Sequence, residues 1–561
     1  MLKVLTAAQM REVDRLTTER YGIPSILLME NAAHAVAGAI AQKLGGSLAD
    51  KRALILCGKG NNGGDGLALA RILWDYGSSV IVCMMYADEE FSGDAAENLR
   101  LLRNLHAAQK PLHEPTICFA EFGTHRTFFD AGDAYFGPDV VVDAIFGTGL
   151  SKPLNEDHAL LAKMYRSLLD QASRPLLISI DMPSGMNADQ GEYIGETFTA
   201  DLTVTFTRPK PATVLPPTVN RCGELLVAKI GSPDVLIQEQ NSMLYLGQPS
   251  DARKWFEKTA FACGSYKNKR GHAMLIAGSK DYSGAAVLCG NSAIRSGAGL
   301  VTLACPEDAK AEIASRLLPE VILTTIESPD LAGHISKANA IAVGCGLDAN
   351  DNDIEKLVRE IVETRKVPVV VDAGALWFFS PWSRSVSSPH VSKGQINIEA
   401  TPSPANRPSA DSGASDLILT PHEGEFLRLL GTDNKDVLKD RVAAVRDFST
   451  KNNVILVLKG ERVLIGHPDG RVVVNPTGNS GLGKAGNGDT LTGIIVGFLA
   501  QAVQMEIDIF ETVIAAVYVA GMAGDVAEKK YGKRVMTASD VRECLVDVFS
   551  ELAGNQTGYT G

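Results

Sequence analysis

The 561-residue sequence predicts an α/β protein with two domains, each built around a largely parallel β-sheet. Short, continuous apolar runs alternate with segments of helical spacing, which is the pattern of strands that are buried on both faces. The chain is also too long for one core, because single domains rarely exceed about 300 residues. Finally, 45% hydrophobic and 21% charged residues are typical of a folded α/β chain rather than a disordered or fibrous one.

The apolar runs of the first half predict one α/β domain over residues 1–235. A capping box at Thr6–Gln9 opens its first helix, and the segment 67–77 has the apolar spacing of a later one. The predicted strands lie at 53–57, 80–86, 140–147, 176–185, 201–207 and 224–231.

A second series of apolar runs predicts another α/β domain over residues 260–555. The less regular residues 236–259 are predicted to be a linker. The apolar stretch 491–503 is interrupted by Gly and Gln, and predicts a buried core helix. Residues 380–415 are rich in Ser and Pro with little periodicity, so we expect a mobile surface insertion there. The predicted strands lie at 272–279, 300–306, 340–346, 367–374, 416–421 and 454–460.

Charge and cysteine content exclude several classes of function. A formal net charge of −12 leaves no basic footprint for nucleic acid. The nine cysteines form no CxxC pair, so neither a disulfide framework nor a zinc site is expected, and free thiols fit a cytoplasmic protein. The N-terminus lacks the apolar core of a secretory signal, and no run reaches about 18 uninterrupted apolar residues, so no membrane span is expected.

The first candidate site begins at the glycine-rich segment 58–66, GKGNNGGDG, between a predicted strand and a helix. Its glycines would let the backbone approach a dinucleotide phosphate, and the helix N-terminus offers free N–H groups. The same glycines could equally serve only a tight turn, because the segment is neither GxGxxG nor a P-loop.

Polar residues at the ends of two other strands strengthen this site. Asp143 lies in VVDAIFGTG, while Asp181 and Ser184 lie in ISIDMPSG. Open α/β sheets bind their ligands at the carboxyl ends of the strands, so these residues are expected to converge on the Asn61–Asn62 segment.

NNGGDG, VDAIFGTG and DMPSG, in this order, resemble the NAD(P)H-hydrate epimerase domain, over roughly residues 1–235. The resemblance implies a Rossmann-like three-layer α/β/α fold and an oxygen-ligated K⁺. The implied K⁺ ligands are Asn62, Asp143 and Ser184. The implied substrate pocket consists of Asn61, Asn62, Gly63, Gly64, Asp65, Gly147, Thr148, Gly149, Leu150, Ser151, Lys152, Pro153 and Asp181.

The implied substrate is a reduced nicotinamide ring hydrated at C6. Interconverting its two epimers requires proton transfer, through loss of the hydroxyl or through ring opening. Asp181 is the predicted acid/base, and Lys152 is predicted to assist the oxygen. Lys152 has an equally good alternative role as a phosphate contact.

The strongest local signal is the segment 475–497, NPTGNSGLGKAGNGDTLTGIIVG. A glycine-rich turn, an aspartate and an apolar helix form an anion hole with a carboxylate at its rim, where backbone amides can hold phosphoryl charge. Asp489 is therefore the predicted base. The GxGD pattern resembles the ribokinase-like superfamily.

Further motifs are similar to the NAD(P)H-hydrate dehydratase family over about residues 260–550, the insertion apart. They are SGAAVLCG, VGCGLD, VVVDAGAL, LTPHEGEF and LVLKG. The resemblance implies hydrate contacts at Ala285, Gly346, His422 and Asp489, although His422 could instead only hydrogen-bond its own loop. The implied ADP contacts are Lys459, Gly460, Glu461, Asn479, Ser480, Gly481, Leu482, Gly483, Lys484, Ala485, Gly486, Asn487 and Gly488.

The resemblance also implies the reaction. ADP, with Mg²⁺, would phosphorylate the C6 hydroxyl of the S hydrate, and loss of phosphate would restore NADH or NADPH. ADP is favoured over ATP because bacterial two-domain members of the family use ADP. Two departures stand out: GCGLD replaces the usual Gly-Pro-Gly-Leu-Gly, and Asn487 stands where a smaller residue is common.

The sequence thus predicts a bifunctional epimerase and dehydratase of hydrated NADH and NADPH, expected to be a homo-oligomer without nucleic-acid or membrane partners. One alternative is a ribokinase-like vitamin-precursor kinase with a non-catalytic nucleotide-binding N-terminal domain, against which LTPHEGEF and DAGAL argue. Another is a binding module like the epimerase-like domains of RNA-decay scaffolds. Such a module could have lost Asp143, Lys152 and Asp181, which are all present.

Overall fold

The computed structural model describes residues 1–109, 115–121, 137–170, 174–261, 263–382 and 417–554. These residues form two compact units, Lys3–Ser242, and Met243–Gly561 together with Met1–Leu2. Almost all of the predicted insertion, residues 383–415, lies outside the described residues.

The first unit contains a seven-stranded parallel sheet, in the order β4-β3-β2-β5-β6-β7-β8. Its strands are β2 (Arg52–Cys57), β3 (Ser79–Met84), β4 (Ile117–Glu121), β5 (Val140–Ala144), β6 (Leu176–Ile180), β7 (Leu202–Phe206) and β8 (Glu224–Ala228). Its helices are α1 (Ala7–Tyr21), α2 (Ser25–Lys43), α3 (Asn61–Asp75), α4 (Gly93–Ala108), α5 (Glu156–Ser167), α6 (Pro211–Val214) and α7 (Asp234–Glu239).

Apolar side chains cover both faces of this sheet. Alternate residues of β2 point to opposite faces, so Ile55 packs in the cluster with α2 and α3 while Leu56 packs with α5. The strand order reverses between β2 and β5, and ligands of doubly wound sheets bind at such a reversal. All six predicted strands are confirmed, but the edge strand β4 was not predicted.

The second unit contains an eleven-stranded sheet, in the order β1-β9-β18-β17-β16-β15-β14-β13-β10-β11-β12. The block from β16 to β12 is parallel, whereas β17 pairs antiparallel with β16 and β18. The strands are β1 (Leu2–Lys3), β9 (Leu244–Leu246), β10 (His272–Ile276), β11 (Leu300–Cys305), β12 (Ile322–Thr325), β13 (Ala340–Val343), β14 (Val369–Val371), β15 (Leu417–Leu419), β16 (Ile455–Leu458), β17 (Leu464–Gly466) and β18 (Val472–Val474).

Helices flank this sheet and include the two longest apolar ones of the unit. In chain order they are α8 (Pro249–Lys258), α9 (Ser283–Arg295), α10 (Lys310–Ala314), α11 (Leu331–Ser336), α12 (Asn352–Glu363), α13 (Gly374–Phe378), α14 (Glu423–Leu430), α15 (Arg441–Asn452), α16 (Asn487–Gln504), α17 (Ile509–Tyr531), α18 (Ala538–Glu543) and α19 (Leu545–Leu552). The strand order reverses between β10 and β13, which places a second ligand crevice there.

The residues predicted as a linker, 236–259, contain regular structure in the folded chain. They include β9, which extends the second sheet, and α8, whose Trp255 stacks on Phe498 with ring centroids 3.8 Å apart. The strand is only three residues long and α8 is polar on its outer face, so neither produced a continuous apolar run.

The core helix predicted at 491–503 forms most of α16 and is buried along nearly its whole length. The neighbouring α17 is long and apolar enough to cross a membrane by length and composition, but 67% of its apolar window is buried inside the protein. Burial of this kind is expected for a core helix, because the packing supplies the apolar surroundings that a bilayer would otherwise provide.

Candidate active sites

The glycine-rich segment of the first unit forms the turn between β2 and α3. Helix α3 begins at Asn61, and Gly63 lies so close to the strand turn that a Cβ there would be 1.6 Å from the Gly58 carbonyl oxygen. A Cβ at Gly66 would be 2.6 Å from the Cβ of Ala144 on β5. The packing of the helix therefore requires glycine at these two positions. The tight-turn role considered from the sequence is observed, and it holds whether or not the segment also binds phosphate.

Asn62 lies beside Asp181 at the reversal of the sheet. Its side chain is buried, and among the described residues neither its Oδ1 nor its Nδ2 has a hydrogen-bond partner. The Asn62 Oδ1 and the Asp181 Oδ2 lie 3.3 and 3.2 Å from the point where a Cβ of Gly147 would be. Gly147 thus leaves open a space lined by two polar oxygens, and buried polar groups without partners point to a ligand there.

Asp143 and Ser184 are also brought together. The fully buried carboxylate of Asp143 accepts hydrogen bonds from the Ser184 hydroxyl at 2.6 Å and from the Ser184 N–H at 2.8 Å. The Ser179 hydroxyl and the Ile145 N–H also donate to this carboxylate. Burial raises the pKa of Asp143 to about 6, although these hydrogen bonds oppose the shift. The Ser184 hydroxyl in turn accepts from the N–H of Phe146, the residue before Gly147.

Asp181 pairs with a residue that the sequence did not single out, Lys210. The Lys210 ammonium donates to the Asp181 Oδ1 at 2.5 Å and is itself 1% exposed. The Thr205 hydroxyl donates to the same Oδ1 at 3.2 Å. Asp181 has φ +65°, a left-handed conformation that is uncommon for a residue other than glycine and that often marks a functional site.

The predicted assistant Lys152 lies exposed in the loop after β5, next to residues 147–151. The ionic partner that the structure gives Asp181 is Lys210 instead. Lys210 follows β7 in the segment RPKPA, and a lysine just beyond the carboxyl end of a buried strand was the signal that could have identified it. The role of Lys152 remains a prediction.

Two further carboxyl groups surround Asp181. Burial raises the pKa of Asp14 to about 6, with a further contribution from the charge of Asp181. Burial raises the pKa of Asp65 well above its usual range, and the charges of Asp181 and Asp14 add to this. Lys210 acts in the opposite direction on both. The first site is thus a cluster of three carboxyls around one buried ammonium.

The second candidate site lies at the N-terminus of α16. The helix begins at Asn487, directly after Gly486, whose φ of +89° turns the chain into the helix. Asp489 lies in the first turn. Burial raises its pKa to about 6 and the charge of Asp372 adds to the rise, whereas a hydrogen bond with Cys345 and the charge of Lys459 lower it. A carboxyl group in this range suits a general base that works near neutral pH.

Asp372 is the residue that the sequence prediction missed in this site. Its carboxylate is 1% exposed, accepts from the Lys459 ammonium at 2.7 Å through Oδ1, and accepts from the Thr492 hydroxyl at 2.8 Å through Oδ2. A Cβ on Gly488 would lie 3.4 Å from the Lys459 Nζ. Lys459 therefore lies at the anion hole, and Asp372 holds it there. VVVDAGAL contained the signal, an aspartate at the end of a buried strand.

His422 caps helix α14. Its Nδ1 accepts hydrogen bonds from the N–H groups of Gly424 at 3.0 Å and Glu425 at 3.3 Å. The loop hydrogen-bonding role considered from the sequence is therefore observed. It also leaves the proton of the neutral ring on Nε2, because Nδ1 is the acceptor. The Nε2 lies 3.5 Å from the Glu425 Oε1, so both ring nitrogens face residues of the helix that His422 caps.

Several residues of the predicted nucleotide loop shape the loop itself. The Lys484 ammonium donates to the carbonyl oxygens of Arg534 at 2.7 Å and Met536 at 2.8 Å. The Asn487 Nδ2 donates to the Leu482 carbonyl at 3.1 Å, which gives this departure from the family pattern a structural role. The backbone amides of the loop are left as the groups that can bind phosphate.

The remaining predicted contacts group around the same crevice. A Cβ on Gly346, which has φ +69°, would lie 2.9 Å from the Cβ of Ala285. Gly460, beside Lys459, packs against the guanidinium of Arg441. Within the described residues, no group of three or more His, Cys, Asp or Glu side chains could hold a metal ion.

Comparisons with known proteins agree with both halves of the chain. The family model of the YjeF-related protein N-terminus matches residues 25–212, and that of NAD(P)H-hydrate dehydratase matches 273–393 and 404–546. The bifunctional NAD(P)H-hydrate repair enzyme Nnr of Moorella thermoacetica is 34% identical over 98% of this chain and 97% of that protein. Its counterpart from Salinibacter ruber is 33% identical over the same shares, 98% and 97%.

Among solved structures, the second half is similar to the ADP/ATP-dependent NAD(P)H-hydrate dehydratase from Bacillus subtilis, co-crystallised with ATP/Mg²⁺. The two are 28% identical with a TM-score of 0.43, over 55% of this chain and 98% of that one.

Proposed function

The chain belongs to the family of bifunctional NAD(P)H-hydrate repair enzymes, and we propose that its two sites perform the two steps of that repair separately. The protein is a nicotinamide nucleotide repair enzyme, with an NAD(P)H-hydrate epimerase domain followed by an NAD(P)H-hydrate dehydratase domain. This function is supported by the similarity to the relatives over nearly their full length. The same similarity argues against the vitamin-precursor kinase and the RNA-decay scaffold module.

In the first site, Asp181 acts as the acid/base on the hydrated ring. Its Oδ1 is held by Lys210 and Thr205, so Oδ2, facing Gly147 and Asn62, is the oxygen that exchanges a proton with the hydroxyl of the hydrated carbon. Departure of the hydroxyl requires a proton, and its return on the other face releases one, so a single carboxyl group can serve both directions.

A potassium ion fits the residues beside this site. Asn62, Asp143 and Ser184 offer oxygen donors, which hard cations prefer, and the Asn62 Oδ1 has no partner within the described chain. The groups that donate hydrogen bonds to the Asp143 carboxylate are neutral hydroxyl and N–H groups. A cation would therefore balance the buried charge of this carboxylate. When bound, the ion would supply fixed positive charge near the hydroxyl that leaves the ring.

Replacing Asp143 tests the potassium assignment. Asp143→Ala is expected to weaken the potassium dependence of epimerisation and to slow it, because the cation loses its charged ligand, while dehydration of the S epimer continues unchanged. The measurement is the rate of R-to-S conversion against KCl concentration, with sodium as the control ion. Equal rates with and without potassium in the unmodified protein would show that the assignment is wrong.

In the second site, the dehydratase phosphorylates the S hydrate. Asp489 takes the proton of the C6 hydroxyl as that oxygen attacks the terminal phosphoryl group of ADP, and the products of the complete reaction are AMP, phosphate and NAD(P)H. Lys459, held by Asp372, and the amides at the start of α16 neutralise the charge that develops on the phosphoryl group. Hydroxide leaves poorly and phosphate leaves well, which is why a nucleotide is required.

Magnesium accompanies the nucleotide in this proposal. The phosphate oxygens of ADP would supply most of its ligands, as is common for Mg²⁺, and no cluster of three acidic, His or Cys side chains among the described residues would be needed. Preference for ADP over ATP, a homo-oligomeric state and a cytoplasmic location remain predictions from the sequence.

The pH dependence of dehydration tests Asp489 as the base. A base must be ionised, and because the pKa of Asp489 is raised to about 6, kcat/KM should fall about tenfold per pH unit below that value. Cys345→Ala removes a hydrogen bond that lowers this pKa, so the acid limb should move to higher pH. Cys305→Ala, at another buried thiol, is the matched control. An acid limb that is unchanged in Cys345→Ala would contradict the thiol contact.

A direct assay tests the function as a whole. The protein is incubated with a mixture of hydrated NADH epimers, ADP and MgCl₂, and the return of NADH absorbance is followed. Full recovery with ADP and none without it is expected. Recovery that does not depend on a nucleotide would contradict the phosphorylation step.

A further inference from the structure

The Lys210 ammonium is fully enclosed by protein groups. It donates to the Asp181 Oδ1 at 2.5 Å, the Thr205 hydroxyl at 2.9 Å and the Phe206 carbonyl at 3.2 Å. Those three acceptors use all three ammonium hydrogens, and the residue is 1% exposed. No donor remains for a substrate, so any effect of Lys210 on the reaction must pass through its partners.

The two oxygens of the Asp181 carboxylate have different surroundings. Oδ1 receives both the Lys210 ammonium and the Thr205 hydroxyl. Oδ2 lies 3.2 Å from the Cβ position of Gly147, on the side of the Asn62 amide, which has no hydrogen-bond partner among the described residues. The carboxyl plane is therefore set by contacts to one oxygen, and the other is directed into the open space.

We propose that Lys210 and Thr205 are the positioning residues of the epimerase site, which hold Asp181 through one oxygen so that the other meets the hydrated ring. The proposal rests on the proposed function of Asp181. It names two residues of the segment from β7 to α6, in addition to the glycine-rich turn and the two strand-end aspartates, as necessary for epimerisation.

The charge of Lys210 has a second consequence, because three acidic groups surround it. Asp14 and Asp65 face the same cluster, and burial followed by the charge of Asp181 raises the pKa of each. Lys210 opposes both rises and pairs directly with Asp181. Without the ammonium, Asp14 and Asp65 would hold their protons to higher pH.

The first test is Lys210→Met, which keeps an unbranched side chain and removes the charge. R-to-S conversion of purified R hydrate is expected to fall about 100-fold in kcat, the scale of a misplaced catalytic group, with a smaller change in KM. Dehydration of S hydrate by the same chain reports folding of the other domain, and circular dichroism and thermal melting report folding of the first. A rate within threefold of the unmodified protein would overturn the proposal.

A double substitution separates positioning from an independent catalytic role. If Lys210 acts only through Asp181, Lys210→Met should cause no further loss in an Asp181→Asn background. Additive losses would overturn the positioning role. If Asp181→Asn alone leaves epimerisation intact, the proposed function of Asp181 fails instead, so the two failures are distinguishable.

A milder pair of variants applies if Lys210→Met does not fold. Thr205→Val removes only the hydroxyl between Lys210 and Asp181. Thr203→Val is the matched control, since it lies two residues earlier on the same face of β7, is equally buried, and donates to the Cys222 carbonyl away from the site. We expect about a tenfold lower kcat for epimerisation in Thr205→Val relative to Thr203→Val. Equal rates in the two variants would overturn the proposal.

Discussion

Asp489→Asn is expected to lower nucleotide-dependent dehydration of the S hydrate by about 100- to 10,000-fold, which is the usual effect of removing a positioned general base. The asparagine keeps the size and shape of the side chain but cannot accept a proton at neutral pH. The loop that we propose binds the nucleotide is held by other contacts, among them Lys484 to the carbonyl oxygens of residues 534 and 536, so ADP should still bind. Epimerisation should be unaffected, because its residues lie in the other unit.

The measurement combines S-hydrate turnover with ADP binding by calorimetry. Asp353→Asn is a suitable control, since it makes the same change in the first turn of helix α12 at an exposed position. Turnover of Asp489→Asn near the unmodified rate would show that the phosphorylation mechanism is mistaken. Loss of ADP binding together with turnover would instead assign Asp489 to the shape of the nucleotide site.

Asp181→Asn is expected to have the complementary effect. R-to-S conversion should fall by about 100- to 10,000-fold, because the amide cannot shuttle a proton and no longer attracts the Lys210 ammonium. S hydrate should be consumed normally, so R hydrate accumulates from a mixed substrate. Chromatography that resolves R, S and NADH follows all three species. Asp75→Asn, exposed at the end of α3, is the control for the charge change.

The independence of the two sites is tested by the same pair of variants. If either substitution abolishes both activities in a protein that remains folded, two separate sites cannot explain the result. Retention of the other activity in each variant is the expected result.

Much of the fold could be predicted because most of its strands coincide with continuous apolar runs in the sequence. Every predicted strand is present, and the strand order reverses within each sheet, between β2 and β5 and between β13 and β10. The elements that were missed have weaker local signals. Strands β17 and β18 are three residues long and pair with each other in antiparallel orientation. Strand β4 lies at the edge of its sheet and is hydrogen-bonded to a strand on one side, β3. Strand β18 also pairs with β9, far earlier in the chain, and a local pattern does not contain such a partner.

The sites divide in the same way. Asp143, Asp181, Ser184 and Asp489 are identifiable because each lies near the end of an apolar strand or in the first turn of a helix beside glycines. Lys210 and Asp372 are not, because their roles depend on an ion pair with a residue 29 or 87 positions away. His422 was undecided from sequence, since capping and substrate contact need the same residue, and the structure shows the cap.

The two repair activities of the chain are expected to be joined only by a diffusing intermediate. The most direct test of this independence mixes equal amounts of the Asp181→Asn and Asp489→Asn proteins with purified R hydrate, ADP and MgCl₂, and follows NADH against an enzyme-free blank. Neither variant alone should convert R hydrate to NADH above the blank. The mixture should restore conversion, because the S hydrate made by one protein is consumed by the other. A mixture no better than its components would contradict the account.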